Sequence, residues 1–138
     1  MSADEVALKY KEITHKIIGV FNDVYNELGH GFLESVYQRS LGVALTSAGI
    51  KVRTRVQIPV WFRGQRVGQF EGDMLVDDSI LLELKVARCL DLSHQSQLLN
   101  YLRATDIEVG LLLNFGIKPE FRRLILENSA KTNCRKSF

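Results

Sequence analysis

The chain has 138 residues, of which 46% are hydrophobic and 25% are charged, and its formal net charge is +2. This length and composition suit one folded domain of ordinary size and argue against intrinsic disorder. The mild positive charge neither indicates nor excludes a nucleic-acid partner. We therefore expect a single domain over residues 1–138, in which residues from about 128 to 138 form a polar, frayed tail.

Cysteine usage and apolar runs argue against several classes of protein. Cys89 and Cys134 are the two cysteines, and no CxxC pair or Cys/His cluster is present, which argues against a zinc site or a cysteine-bound iron–sulfur cluster. No apolar stretch approaches the ~20 residues of a membrane-spanning helix, and the N-terminus shows no signal-peptide pattern. We expect a reduced, cytoplasmic protein without a membrane partner.

Hydrophobic periodicity predicts two helices followed by three strands. Apolar residues at steps of three and four predict one helix over about residues 4–28 and a second over about 32–48. Apolar and polar residues then alternate over 52–60, which predicts a half-exposed strand. A turn at 63–66 leads to a returning strand over 67–76. A second turn at Asp77-Asp78 leads to a third strand over 80–86.

The rest of the chain predicts a helix, a strand and a short final helix. Asp91 or Ser93 can cap a helix that continues to about Ala104, and residues 107–115 form an apolar strand. Pro119 is a favoured first helical residue and predicts a short helix after it. The order of elements favours an α/β or α+β domain, with helices packed on a mixed sheet.

Two charged residues interrupt the apolar third strand, ILLELKV. Glu83 and Lys85 share one face of this strand, opposite two leucines. One interpretation is a solvent-facing ion pair on an edge strand, which contributes little to stability. The other is a functional pair, since a hairpin around Asp77-Asp78 would bring Asp73 roughly level with Glu83. Two carboxylates that close repel each other unless a cation joins them, and oxygen ligands without Cys or His fit Mg²⁺ or Mn²⁺.

The helix predicted over residues 91–104 carries a polar stripe beside an apolar one. The polar stripe consists of His94, Gln97 and Tyr101. The apolar stripe, expected to pack on the sheet, consists of Leu92, Leu99 and Leu102. A helix face turned to water would also explain the polar stripe, although a tyrosine is less expected on such a face.

The second predicted helix begins with a single acidic exception to an apolar stripe. Glu34 lies in line with Tyr37, and the stripe continues through two leucines. An acidic side chain in the first turn favours the positive end of the helix dipole, which would explain Glu34 without any functional role.

Taken together, these residues resemble a known superfamily. Asp73, Glu83-x-Lys85 and Gln97-x-x-x-Tyr101 resemble the PD-(D/E)XK nucleases, which have the restriction-endonuclease-like fold, and the last element resembles their RecB-type and lambda-exonuclease-like branch. The stretches GFLESVY, QLLNYL and LLLNFG resemble the small GxxExxY protein family. The likeness extends from about residue 25 to 115 and implies an αβββαβ core, in which helices flank a mixed sheet.

The resemblance also implies an activity, hydrolysis of phosphodiester bonds that depends on Mg²⁺ or Mn²⁺. The residues that would carry it are Glu34, Asp73, Glu83, Lys85, Gln97 and Tyr101. The three carboxylates would bind the metal, and the lysine would orient the attacking water. The glutamine and the tyrosine would position the lysine or the phosphate.

A nucleic acid is the implied substrate, with DNA favoured over RNA. The candidates for contacts to it are Arg53, Arg55, Arg63, Arg66 and His94. Neutralising phosphates supplies most non-specific affinity, although a solvated strand face is the simpler explanation of each arginine taken singly. A domain of this size could also form a homodimer that holds two strands.

The sequence departs from the family pattern at three points. Gly72 replaces the proline before Asp73, Glu34 stands where some RecB-type relatives carry histidine, and the four cysteines of iron–sulfur members are missing. Two other readings therefore stay open. One is a nucleic-acid-binding or partner-binding module without turnover, and the other is a structural polar cluster without a ligand.

Overall fold

The computed structural model describes residues 2–131. Its helices are α1 (Ala3–Lys9), α2 (Lys11–Leu28), α3 (Glu34–Ser47) and α4 (Leu92–Arg103), with a 3₁₀ turn at Asn128–Ala130. Its strands are β1 (Val52–Phe62), β2 (Gln65–Val76), β3 (Ile80–Lys85), β4 (Val109–Phe115) and β5 (Pro119–Ile125). None of the helices in the described range is both long and apolar enough to cross a membrane.

The five strands lie side by side in chain order and form one mixed sheet. Neighbouring strands are antiparallel except β3 and β4, which run parallel with Leu82 opposite Leu111. A parallel pair needs a crossover connection, which α4 provides between these two strands. The predicted α+β architecture with an αβββαβ core is confirmed.

Helices cover both faces of the sheet and create two apolar cores. Helices α1 to α3 pack with Met74, Leu82 and other residues on one face. Helix α4 packs with Leu75 and Leu81 on the other face. Strand β3 is therefore central and buried on both sides, so the edge-strand interpretation of Glu83 and Lys85 is wrong. A charge on this strand is placed in the interior rather than in water.

The two predicted turns form tight hairpins. Arg63 and Gly64 connect β1 to β2 with φ values of 48° and 75°, and Asp77 and Asp78 connect β2 to β3 with φ values of 53°. Positive φ at two successive turn residues matches the right-handed twist of the flanking strands. The second turn fixes the register that decides which residue faces Glu83.

Two predicted helices differ in the structure. The single helix expected over about residues 4–28 is interrupted at Tyr10, where φ is −105° and ψ is 13°, so α1 and α2 are separate. The short helix expected after Pro119 is wrong, because this segment is strand β5, paired antiparallel with β4. Proline has no N–H for a ladder but is tolerated as the first residue of an edge strand.

The packing face of α4 and the chain end also differ from expectation. Leu92 is 79% exposed, and the buried residues of α4 are Leu98, Tyr101 and Leu102. The start of the expected frayed tail is a 3₁₀ turn, in which the Asn128 N–H donates to Glu108 Oε2 at 2.8 Å. The rest of that tail, residues 132–138, lies outside the described residues.

Candidate active site

The ladder between β2 and β3 ends early, and two carboxylates take its place. Backbone pairing covers three residue pairs, from Val76–Ile80 to Met74–Leu82. Beyond it, the Asp73 N–H donates to Glu83 Oε1 at 2.9 Å, and the Leu84 N–H donates to Asp73 Oδ2 at 2.8 Å. Each acidic side chain thus satisfies a backbone donor of the opposite strand, and Asp73 and Glu83 lie side by side.

Burial makes this pair electrostatically unfavourable. Glu83 is 3% exposed, and burial, followed by the negative charge of Asp73, raises its pKa to about 8. Burial also raises the pKa of Asp73, while the hydrogen bond from the Leu84 N–H and the charge of Lys85 oppose that rise. Two carboxylates in this position share a proton or require a cation.

The polar stripe of α4 completes a hydrogen-bonded chain on the same face of the sheet. Lys85 Nζ donates to Gln97 Oε1 at 2.7 Å, and Gln97 Nε2 donates to Tyr101 Oη at 3.1 Å. An ammonium group can only donate, so it fixes the orientation of the Gln97 amide. Burial, followed by the charge of Glu83, raises the pKa of Tyr101 to about 12, which keeps its hydroxyl protonated.

Glu34 lies near this cluster but apart from the carboxylate pair. It is an exposed residue in the first turn of α3, and partial desolvation and then the charge of Asp73 raise its pKa, while Lys85 opposes the rise. Within residues 2–131, no group of three or more His, Cys, Asp or Glu side chains is arranged to hold a metal ion. The three predicted carboxylates therefore do not form a ready-made ligand triad.

Tyr37, three residues after Glu34, holds the loop that leads into α3. Its hydroxyl donates to the Gly29 carbonyl and accepts from the Phe32 N–H at 3.3 Å. Its ring stacks on Phe115 of β4, with the ring centroids 4.4 Å apart. The spacing glycine-x-x-Glu34-x-x-Tyr37 therefore has a structural basis, because the tyrosine fixes where the helix begins and where Glu34 stands.

Two amide side chains near the cluster were not singled out in the sequence. Asn114 is fully buried, and it accepts from the Ala87 N–H and donates to the Ala87 carbonyl, both at 2.9 Å. It thereby fixes the chain just after Lys85, and a lone polar residue in an apolar strand was the available signal. Gln38 of α3 donates to the Asp73 carbonyl at 3.4 Å, a contact between distant segments that no local pattern indicates.

The predicted basic contacts are spread over the molecule. Arg63 and Arg66 lie at the tip of the β1–β2 hairpin, and Arg63 lies over the Phe62 ring at 5.0 Å. Arg53 Nη1 is 3.8 Å from Asp78 Oδ1. Arg55 is the member of this set that the β1–β2 register brings opposite Asp73.

His94 has a structural role at the start of α4. Its Nδ1 accepts from the Asp91 N–H at 3.2 Å, and Asp91 Oδ1 accepts from the His94 N–H at 3.2 Å, which together form a capping box. This reciprocal pair satisfies backbone donors that the first helical turn leaves unpaired. The cap explains His94 without a nucleic-acid contact.

The mixed sheet and the cluster of two acids and a lysine define a restriction-endonuclease-like domain. Residues 11–124 match the family model of the PD-(D/E)XK nuclease superfamily. Because this match covers most of the sequence, the chain belongs to the PD-(D/E)XK nuclease superfamily. Nucleases of this superfamily generally use divalent metal ions.

One solved structure adds support for the fold. The crystal structure of SSO0001 superposes with a TM-score of 0.54 and 19% sequence identity, and the match covers 91% of this chain and 61% of that chain. At this identity the likeness concerns the fold alone, and the present chain spans about three fifths of that protein. No curated protein matches the sequence.

Proposed function

We propose that this protein is a nuclease that uses a divalent metal ion and in which Asp73, Glu83 and Lys85 carry the reaction. The Asp73–Glu83 pair supports this most strongly, since burial raises the pKa of both carboxyl groups and the negative charge of Asp73 raises the pKa of Glu83 further. A purely structural ion pair with Lys85 would need one acid, not two. The second acid is explained when a cation is part of the site.

The donor chemistry of the pair fits a hard divalent cation, Mg²⁺ or Mn²⁺. One oxygen of each carboxylate accepts a backbone N–H, so Asp73 Oδ1 and Glu83 Oε2 are the oxygens that would bind the ion. Mg²⁺ in phosphoryl-transfer sites commonly binds one or two carboxylates and completes its shell with water and substrate oxygens. Glu34, outside the pair, would hold one of those waters. When bound, the ion would neutralise phosphate charge and lower the pKa of a bound water.

The remaining residues would orient the reacting groups. The Lys85 ammonium, held at 2.7 Å by Gln97, would bind and orient the attacking water beside the scissile phosphate. Gln97 is held in turn by Tyr101, whose protonated hydroxyl would donate to a phosphate oxygen. This chain of contacts gives Gln97 and Tyr101 of α4 a role.

We further propose that residues 1–138 form one nuclease domain of the GxxExxY family in the RecB-type branch, and that its substrate is DNA. The GFLESVY stretch and the Gln97-x-x-x-Tyr101 spacing support this assignment. Of the predicted contact residues, Arg55 is best placed, while Arg53 is paired with Asp78 and His94 caps α4. A homodimer would present two such sites to two strands.

Cleavage assays with Mg²⁺ and with Mn²⁺ test this proposal. Asp73→Asn and Lys85→Met should lower kcat by at least about 100-fold, because each removes a group at the reacting phosphate. Asp23→Asn on the exposed side of α2 is the matched control and should cleave like the wild type. Equal cleavage by all four proteins would overturn the proposal. Salt-dependent DNA binding without cleavage in the wild type would instead favour a binding module.

A further inference from the structure

We propose that a groove between α3 and the start of β1 binds the sugar–phosphate backbone of one substrate strand, independently of its sequence. The groove has a volume of about 870 Å³. This inference rests on the proposed nuclease function and assigns the path by which the strand approaches the carboxylates. Arg39 of α3 is one of the two arginines that line it.

The lining of the groove suits a polyanion. Helix α3 contributes residues from successive turns, including Ser35, Gln38 and Arg39, and β1 contributes Thr54 and Arg55. The lining residues include two arginines and no carboxylate, and most of the others carry a hydroxyl or an amide. Arginines neutralise phosphates, and hydroxyl and amide groups donate hydrogen bonds to phosphate oxygens.

Three features join the groove to the candidate active site. Ser35 directly follows Glu34 on α3. Gln38 lines the groove and also donates to the Asp73 carbonyl at 3.4 Å. The β1–β2 register pairs Thr54 with Met74 and Val56 with Gly72, which leaves Arg55 opposite Asp73. A strand that lies in the groove is therefore led to the carboxylate pair.

The backbone at Arg55 departs from a regular strand at this point. Its φ is +52°, a left-handed conformation that a residue with a side chain adopts at a cost, and the Arg55–Asp73 pair is missing from the ladder. Such conformations persist where the surrounding structure imposes them, and they concentrate at functional sites. Here the interruption coincides with an exposed arginine at the groove wall.

The lining also indicates that the groove does not distinguish one base sequence from another. No aromatic side chain is among the lining residues, so stacking on bases, which many single-strand-binding proteins use, is not available within the groove. Contacts to phosphate position a strand but carry no sequence information. We therefore assign the groove to the backbone of one strand, and we expect binding to be the same for different base sequences.

Binding of single-stranded DNA tests the groove separately from cleavage. In an Asp73→Asn background without metal, Arg39→Gln and Arg55→Asn should each weaken binding about tenfold, as loss of a charge-assisted contact predicts. Each should also lower the slope of log K against log salt by about 0.7. Asparagine is chosen at position 55 because it tolerates positive φ. Arg122→Gln on β5, at the opposite edge of the sheet, is the matched control.

The outcomes separate the groove from the nuclease function. The proposal is supported if the two groove variants lose affinity equally for two unrelated sequences, while Arg122→Gln does not. It is overturned if they bind like Arg122→Gln. When the two groove substitutions are made singly in the wild type, a higher KM with unchanged kcat in cleavage assays supports the proposal as well. If the two groove variants lose affinity but the wild type cleaves no substrate, the groove proposal is supported and the nuclease proposal is overturned. Arg39→Gln decides the test if Arg55→Asn does not fold.

Discussion

Glu83 is an acidic residue in surroundings that disfavour its ionised form. It lies on a central strand, 3% exposed, with an aspartate beside it. Its single favourable backbone contact, from the Asp73 N–H, does not offset burial and repulsion, and its pKa is raised to about 8. In the metal-free protein a buried carboxyl of this kind favours the protonated form, and this links the stability of the fold to pH.

The first prediction concerns that link. The pKa of Glu83 is raised from 4.5 to about 8 on folding, so the folded state holds the proton more tightly than the unfolded state. The stability that protonation supplies is complete below pH 4.5 and is lost as pH rises through about 8. Without metal, Glu83→Gln should flatten this decrease and raise the free energy of unfolding at pH 8 by on the order of 1 kcal/mol.

Urea unfolding at several pH values between about 5 and 9 measures this effect. Glu12→Gln, on the exposed side of α2, is the control and should keep the pH dependence of the wild type. If Glu83→Gln shows the same decrease with pH as the wild type, Glu83 does not titrate as its burial requires.

A second prediction at this scale concerns Gln97. Gln97→Leu removes both the acceptor of Lys85 and the donor to Tyr101, so the ammonium loses its fixed position. We expect kcat to fall about tenfold with little change in KM, because the interaction orients a reacting group rather than binding the strand. Gln95→Leu, on the same helix, is the control. Steady-state cleavage kinetics measure both, and equal losses in the two variants would argue against a specific role for Gln97.

At the scale of elements, turn chemistry and strand alternation made the β2–β3 hairpin predictable. The Asp77-Asp78 turn and the alternation of β3 correctly indicated that Asp73 lies level with Glu83. The break at Tyr10 was not predictable, because apolar spacing continues across it. Pro119 indicates a helix start in the sequence, whereas pairing with β4 makes residues 119–125 a strand.

Packing between α4 and β4 gives a third prediction. A Cβ at Gly110 would lie 2.8 Å from Leu98 Cδ2 and 2.9 Å from Leu98 Cγ, closer than real contacts allow. Gly110→Ala should therefore lower the free energy of unfolding by about 1–3 kcal/mol. Combined with Leu98→Ala, it should cost less than the sum of the two single changes, because the shorter side chain removes the clash.

The control for this prediction is a glycine with free space around it. At Gly19 of α2 a Cβ would meet nothing within 4 Å, so Gly19→Ala should raise stability by about 0.5–1 kcal/mol. Chemical denaturation of the four variants measures all these effects. Additive costs for Gly110→Ala and Leu98→Ala would contradict the close packing of α4 on β4.

At the scale of the whole molecule, the sequence predicts the residues of the site better than it predicts the residues that hold them in position. Asp73, Glu83 and Lys85 lie on neighbouring strands, so local register was sufficient to bring them together. Asn114 acts through hydrogen bonds to Ala87, which is 27 residues away, and no local spacing encodes such a contact. The position of Glu34 relative to the carboxylate pair likewise depends on how α3 packs against the sheet.

The fourth prediction concerns the whole fold in the presence of metal. A ligand that binds only the folded state stabilises it by about 2.7 kcal/mol at 100 times its Kd. Mg²⁺ should therefore raise the Tm of the wild type, and more at pH 8 than at pH 6, because the carboxylates must lose their proton to bind it. Thermal unfolding with and without Mg²⁺ measures this shift. Asp73→Asn should show little of it, and an equal shift in both proteins would place the ion elsewhere.

The carboxylates between β2 and β3 have a consequence for the history of such a chain. Because Asp73 and Glu83 accept backbone hydrogen bonds where the ladder stops, they hold two strands together as well as occupying the site. A descendant that had lost activity would still need acceptors at both positions to keep these strands joined. Mutational drift there should therefore favour asparagine and glutamine over alanine. A polar residue kept at these two positions would then be explained by the fold as well as by the reaction.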